Sequence, residues 1–573
     1  MTWVIGFFLF VNFIYLYFER PVFAFGFTDW SLPMLFWGWI LLFYLARPLL
    51  QKGRAALSNS PWGRLLEKLF LGGPAESGKV VDISGHHISP RIKKVAMAGA
   101  ALMAIGILNL IVLPVMLSHP FFFSQSYRNL LGTVEESSFT ADVEPINLSQ
   151  IRIIDEETAI KLAEKKVGEV PALGSETRLG DLVLQKVQNR LYYVAPLEHR
   201  GIFQWMTNFS QGSKGYVMVS ATNPQDVRLV QHVNGNPVYL KVQTNGFVMD
   251  YLPRFLYFHG IITAGMADYS FEIDDDLNPY WVVTLYKNKV GYSGPDAVGV
   301  VLVNAQTGEI KKYSTNDVPA WVDRIQPENF VYRQIASWGD YVNGYWNSLL
   351  AKTGTLKPTG DRLHLIYGND DRVYWYTGIT SSGRDESSVG FLLVNSRTKD
   401  AKWYKVAGAT ESAARKSAEG QVQEKGYRAG YPILYNIHGV PTYIAPLKDK
   451  EGLLKLVSFI SVENYNLVGV GADIDSALRA YQLNLINKGN AFIPGHEIKP
   501  VRLQAKVTRF SQVVKGGESY FYFTLEGDPR IFVGTINNSP KLSLVRPNDT
   551  IAITFNESRE AEVSILQLET GGF

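Results

Sequence analysis

The chain has 573 residues, with 56 Lys and Arg against 53 Asp and Glu, a formal charge of +3, and no cysteine. Disulfide frameworks and thiolate metal sites are therefore excluded, and a chain of this length buries adequate cores without such staples. So small a net charge supplies no cationic footprint for nucleic acid, whose phosphates require one.

Three apolar stretches crowd the first 118 residues: Trp3 to Phe18, Trp30 to Leu50 and Val95 to Leu117. A hydrocarbon core about 30 Å thick takes roughly 17–25 helical residues. The second and third stretches meet that length, and the first stops short at Glu19-Arg20. No Lys or Arg precedes the first stretch and no small-x-small cleavage site follows it, which distinguishes it from a signal peptide. The expectation is a three-span α-helical anchor over residues 1–118, with spans at about 3–18, 30–50 and 95–117 and a loop at 51–94. Ala96, Gly99, Ala100 and Gly106 give the third span a small-residue face that another helix can approach closely. Residues 47–94 carry nine cations and three acids. The positive-inside rule then places this loop and the N-terminus in the cytoplasm, and residues 119–573 outside a bacterial cell membrane.

Within that loop, Gly73 to Lys79 fits the first seven positions of a P-loop, but Val80 stands where Ser or Thr would hold magnesium. The preceding segment, Trp62 to Leu71, reads as an amphipathic surface helix. The adjacent His86-His87 has no further ligands in the pattern.

Beyond the anchor the chain repeats itself. Tyr193-Val-Ala-Pro-Leu197 recurs as Tyr443-Ile-Ala-Pro-Leu447, each after a helix candidate (from Glu157 and from Glu411) and each before a strand pattern. These are α+β repeats A (145–235) and A′ (410–485). A second pair lies between them: Tyr280-Trp281 and Tyr374-Trp375 lead to Gly299-Val-Val-Leu-Val-Asn304 and Gly390-Phe-Leu-Leu-Val-Asn395. They define repeat B, with a linking helix at Leu252 to Phe258 (236–318), and repeat B′ (361–409). Gly, Asn and Asp turns between the strands imply antiparallel hairpins, and the helices cover one sheet face. Between B and B′, residues 319–360 hold an aromatic stripe at helical spacing, read as one connecting helix over Glu328 to Lys352 that braces the two halves. The last segment, 499–573, has five strand candidates and reads as an OB-like β-barrel. Over 500–573 eight cations balance eight acids, which suits peptide contact or assembly better than strand binding. The fold class is thus an α-helical membrane anchor plus α+β, with duplicated antiparallel-sheet modules and a C-terminal small β-barrel.

Chemistry is sparse. Glu198-His199-Arg200 is the densest polar cluster beside a repeated strand and is read as a solvated turn rather than an acid/base pair. Asp274-Asp275-Asp276 lacks the spacing of a calcium loop and is read as a hairpin turn. Trp338, Tyr341 and Trp346 form part of the aromatic stripe. These six, Glu198, His199, Arg200, Trp338, Tyr341 and Trp346, are the candidate binding residues. No catalytic residue, metal ligand or cofactor is assigned, since neither H-E-x-x-H nor G-x-S-x-G occurs.

A helix followed by hairpin strands ending Val303-Asn304-Ala305-Gln306-Thr307-Gly308-Glu309-Ile310 resembles the PepSY class of small extracytoplasmic modules, with Asn304 where that class usually has Asp. The resemblance covers pieces of 150–480. It implies a non-enzymatic envelope module that binds peptides or regulates a partner. The functional expectation is a membrane-anchored envelope scaffold or protein-binding surface. The alternatives are a module controlling an envelope protease or transport machine, and a membrane-anchored hydrolase with a dispersed site. The expected partners are the lipid bilayer and either a second copy of this chain or another envelope protein. The sequence assigns no small-molecule ligand.

Overall fold

The structure, a computed structural model, describes residues 2–43, 90–368, 372–382, 387–487, 500–515, 518–536, 539–556 and 562–570. The P-loop near-miss, the surface helix at 62–71, His86-His87 and the end of the second apolar stretch lie outside them. The chain divides into two units. One is Met1–Tyr127 with Leu256–Gly265 and Tyr286–Asp296; the other is Arg128–Phe255 with Met266–Leu285 and Ala297–Phe573.

In the first unit, helix α1 (Thr2–Glu19) and helix α2 (Ser31–Phe43) precede helix α3 (Pro90–Ile107). A π-helical turn (Leu108–Val112) and a short helix (Leu113–Ser118) continue α3. Among the described residues one helix, Met97–Ser118, is long and apolar enough to cross a membrane, with a mean hydropathy of 2.5. The apolar segments Gly6–Glu19 and Ser31–Phe43 are shorter. The small-residue face of α3 does receive a helix, and it comes from the same chain. A Cβ on Gly38 of α2 would meet the Gly99 carbonyl at 2.9 Å, and one on Gly106 would meet Leu35 at 2.9 Å. Asn109, in the π turn, adds a polar tie by donating to Ser31 Oγ at 2.9 Å. The 286–296 hairpin tip belongs to this unit: Tyr292 donates its hydroxyl to Asn109 Oδ1 (2.6 Å), and Asn288 donates to the Gly26 carbonyl (2.8 Å).

From Arg128 onward the chain forms four copies of one module, each a helix followed by an antiparallel meander; part of the second copy, Leu256–Gly265 and Tyr286–Asp296, belongs to the first unit. This region begins with strand β1 (Val134–Ser137), which belongs to a later sheet. Module A has helix α4 (Glu156–Gly168) and strands β2 (Thr177–Leu179), β3 (Val183–Val187), β4 (Arg190–His199), β5 (Tyr216–Ser220) and β6 (Val227–Val230). Both β2 and β3 pair with β4, so they act as one broken edge strand. A short helix α5 (Ile202–Asn208) follows β4. Module B has helix α6 (Leu252–Phe258), with the bounds its sequence predicts, and strands β7 (Gly265–Ile273), β8 (Pro279–Val290), β9 (Ser293–Asn304) and β10 (Ile310–Ser314). Module B′ has helix α7 (Glu328–Asp340), the broken edge β11 (Leu356–Pro358) and β12 (His364–Tyr367), then β13 (Val373–Ser381), β14 (Gly390–Asn395) and β15 (Ala401–Tyr404). Strand β1 extends this sheet by pairing in parallel with β15. Module A′ has helix α8 (Glu411–Gln421), the broken edge β16 (Arg428–Ala429) and β17 (Ile433–Ile437), then β18 (Val440–Lys448), β19 (Leu454–Ser461) and β20 (Val468–Gly471), closed by helix α9 (Ile474–Asn487).

Shared hydrogen bonds extend the two sequence pairs to one fourfold repeat. The residue after the third strand of each meander (Ala221, Ala305, Ser396 and Val462) donates its N–H to the carbonyl that opens the second strand (Leu191, Pro279, Val373 and Pro441). Its own carbonyl accepts from the segment ahead of that module's helix: Ile153 and Ile154, Lys241 and Val242, Ile325 and Gln326, or Ala409. One position earlier, Ser220, Asn304, Asn395 or Ser461 closes the turn by accepting from the N–H three residues on.

Helix α7 braces the modules, as the aromatic stripe predicts, but it is shorter than predicted. It ends at Asp340; Tyr341 caps it outside helical geometry, and Gly344, at φ +80°, begins a separate turn. The Asn343-Gly344 dipeptide favours that break. Val331, Ile335 and Trp338 share one core with Ala159 and Ala163 of α4 and with Trp375 and Leu392 of B′. The other face of B′ (Tyr376, Phe391) packs with Ala414 of α8 and Tyr443 of A′.

The chain ends in a closed five-stranded barrel of β21 (Pro500–Lys515), β22 (Glu518–Leu525), β23 (Ile531–Thr535), β24 (Thr550–Asn556) and β25 (Glu562–Thr570). Its order is β21-β22-β23-β25-β24, and the β23–β25 pair is parallel.

Candidate ligand cavity

The fourfold repeat makes residue positions comparable, and the comparison leads to a cavity. Tyr193, Trp281, Trp375 and Tyr443 occupy one position on the second strand, because each lies two residues after the carbonyl that opens it. Trp281 Nε1 donates to the Val242 carbonyl (2.7 Å), Trp375 Nε1 to that of Gln326 (2.8 Å), and the Tyr443 hydroxyl to that of Ala409 (3.2 Å). The three acceptors are equivalent, each in the segment that bonds the carbonyl following its module's third strand: Gln326 and Ala409 lie two residues ahead of their helices, and Val242 ten residues ahead of α6. Tyr193 makes no such bond among the described residues and instead lines a cavity of about 560 Å³.

This cavity lies where A and B′ face each other, and equivalent residues of the two modules line it in pairs. Arg152 and Arg324 each precede the segment bonded to Ala221 or Ser396; Glu156 and Glu328 open α4 and α7; Leu184 and Leu365 sit on the edge strands. Module A′ adds Tyr431, Ile433 and Pro446 as a third wall. The volume falls in the range of small-ligand sites.

The acids around the cavity are engaged by protein groups, while its inner cations are not. Asp155 caps α4 by accepting from Thr158 N (3.0 Å) and also takes Lys448 Nζ at 2.5 Å. Glu157 takes Lys448 at 2.6 Å, Glu156 takes Arg362 at 3.3 Å, and Glu328 accepts from Leu363 N at 2.9 Å. Burial works to raise the Asp155 carboxyl, but the Lys448 and Thr158 bonds outweigh it and hold the group below its usual range. The Arg152 guanidinium, by contrast, makes one long bond, 3.5 Å to the Leu365 carbonyl, and no ion pair among the described residues. Arg324 Nε is buried without a partner. The acids that act on Arg324, Asp268 first and then Glu272 and Asp323, do not reach ion-pair distance. Glu272 and Asp323 are themselves buried. Burial pushes them up to about 7 and about 6, respectively. His364 stacks on Tyr431 at 3.5 Å between ring centres, and neither His364 Nε2 nor the Tyr431 hydroxyl has a partner. Burial, with Arg152 and Arg362 nearby, drives His364 down to about 3, so it is neutral at ordinary pH.

The six residues singled out from the sequence lie elsewhere. Glu198 and His199 are not a solvated turn: they are 1% and 3% exposed, because β4 runs on to His199 and takes β2 as its partner. Glu198 accepts from Thr244 Oγ1 (2.7 Å) and Asn245 Nδ2 (2.6 Å), and His199 holds Gln243 through its backbone N–H. As neighbours on a strand they point to opposite faces, so they form no acid/base pair. Arg200 is exposed and donates to the Gly174 carbonyl. Trp338 is core, edge-on to Trp403 at 5.5 Å, while Trp346 is 59% exposed and Tyr341 lies at the helix end. Asp274 closes a hairpin turn by accepting from Asp276 N and Asn278 N. Among the described residues no cluster of three or more His, Asp or Glu side chains is placed to hold a metal ion.

Two features escape the sequence reading. One is the Arg152/Arg324 pair, whose signal is Arg-Ile followed after two residues by a helix that opens with Glu in both modules. The other is an apolar surface on α5, where Phe203, Met206 and Phe209 are exposed; its signal is Ile202-Phe203 directly after a glycine. No family model matches this chain, and no curated protein matches it.

Proposed function

We propose that this chain is a multi-pass membrane protein of the cell envelope whose four modules form a non-enzymatic binding platform. In this reading α1 and α2 cross the bilayer with Met97–Ser118, the N-terminus is cytoplasmic, and residues 119–573 are outside. Large apolar side chains left exposed along α1, such as Phe7, Leu9 and Phe10, support the lipid contact. The observation that carries the platform reading is the cavity between A and B′, where Arg324 Nε, His364 Nε2 and the Tyr431 hydroxyl lack partners while Glu198 and His199 are consumed by structure. The barrel, with the strand order of the OB class and balanced charge, serves as a contact module for a protein partner. The Asn304 turn and its three counterparts favour a second reading, in which PepSY-like modules regulate an envelope protease or transport machine. The test is protease accessibility of the C-terminal region on intact and opened cells. Digestion from outside supports the platform; protection until opening refutes the topology. Loss of a measured hydrolytic activity on Glu198→Gln, in a protein that remains folded, would favour a hydrolase instead.

A further inference from the structure

We propose that the cavity between modules A and B′ binds a small organic or inorganic oxyanion, a carboxylate or a phosphate, through the paired guanidinium groups of Arg152 and Arg324. This deepens the platform reading and rests on it for the site being one of binding rather than turnover.

A guanidinium taken out of water without a carboxylate beside it is costly, and proteins normally pair it. Here two half-buried guanidinium groups in one cavity have no acid at ion-pair distance among the described residues; Asp155 acts on Arg152, and Asp268 and Glu272 on Arg324, only from further away. They come from equivalent positions of two modules, so the same backbone frame presents both. Arg152 has one 3.5 Å bond and Arg324 Nε has none. Three of the four lining acids are committed to cations, Asp155 and Glu157 to Lys448 and Glu156 to Arg362, and the fourth, Glu328, accepts the Leu363 N–H. Oxyanions match the planar fork of arginine better than any other ligand group. The remaining wall supplies orientation. The His364 and Tyr431 rings stack, each with an unpartnered polar atom, and the Tyr193 hydroxyl lacks the backbone bond its three counterparts make. Both ligand types present the same acceptor oxygens; the experiment separates them.

Full-length protein in detergent is titrated with inorganic phosphate, with succinate and with glycerol at constant ionic strength, following tryptophan fluorescence and thermal unfolding. The expected result is saturable binding of phosphate or succinate, none of glycerol, and at least a tenfold loss of affinity in Arg324→Gln and in Arg152→Gln. The surface control Arg228→Gln should keep wild-type affinity. Because either cavity variant can misfold, wild-type protein is also followed by hydrogen exchange; saturating anion should slow exchange at 152–154 and 324–326. Binding of phosphate alone assigns a phosphoryl ligand, and binding of succinate alone a carboxylate. Absence of saturable binding, equal affinity in folded variants, or protection elsewhere would overturn the proposal. None of those results bears on protease accessibility, so the ligand class and the platform reading fail separately.

Discussion

Lys448→Met removes one of the ties between module A and module A′, beside the bonds of Thr158 and Lys161 to the Gly452 and Glu451 carbonyls. Lys448 is buried on β18 and bridges Asp155 at 2.5 Å and Glu157 at 2.6 Å. Removing one partner of a fully buried pair costs about 3–5 kcal/mol, because the survivor is left uncompensated. Asp155 is only partly in that position: its side chain is 22% exposed and it keeps the Thr158 N–H. Glu157, at 58% exposure, adds no more than ~0.5 kcal/mol. The expected loss is therefore ~2 kcal/mol, or roughly a 30-fold rise in local opening. A chain of several modules does not unfold in one step, so the assay is native-state hydrogen exchange at α4 and β18 rather than a single melting curve. The double variant Lys448→Met/Asp155→Asn should show a coupling of about 1–2 kcal/mol. The native carboxyl lies below its unfolded value, so its contribution is complete above about pH 4 and is lost as pH falls through the depressed native value. Coupling below ~0.5 kcal/mol, or coupling that strengthens in acid, would refute the reasoning.

His364 is held neutral in the native state while its unfolded form titrates near pH 6.5. Stability should therefore fall from about pH 6.5 downward toward the depressed native value, and urea titrations of His364→Phe should show a slope shallower by up to one proton. Trp281→Phe and Trp375→Phe remove equivalent indole bonds to buried carbonyls. Each should cost about 1–3 kcal/mol by hydrogen exchange in its own module, and a large loss at one site with none at the other would contradict the repeat. Asn304→Asp should leave the melting temperature of module B unchanged, whereas Asn304→Ala should cost about 1 kcal/mol; equal losses would show that the turn does not depend on that acceptor.

Where a signal is local, the sequence carried it. The five strand candidates of 499–573 become the five strands of the barrel, because alternating side chains and turn residues encode them directly. Helix α6 and the opening of α8 at Glu411 fall where predicted for the same reason. Where a signal depends on a partner far along the chain, it was lost. Glu198-His199 looks like a polar turn until Thr177–Leu179 arrives as a strand partner. Arg152 and Arg324 look like ordinary cations among isoleucines until two modules face each other. The fourfold nature of the repeat was hidden because Trp replaces Tyr at its aromatic position and Asn replaces Ser at its turn; the backbone bonds are conserved between modules while the side chains change.

Strand β1 sets an order of events for biogenesis. Val134 lies just past the last apolar helix, and its partner in the parallel pair is Ala401. At translation rates of roughly 5–20 residues per second, tens of seconds separate the appearance of the two. During that interval β1 is an open edge, able to pair with whatever strand comes near. A nascent protein halted anywhere before β15 would carry that edge unprotected, which makes the middle of this chain, rather than its termini, the stretch where interrupted synthesis is most prone to aggregation.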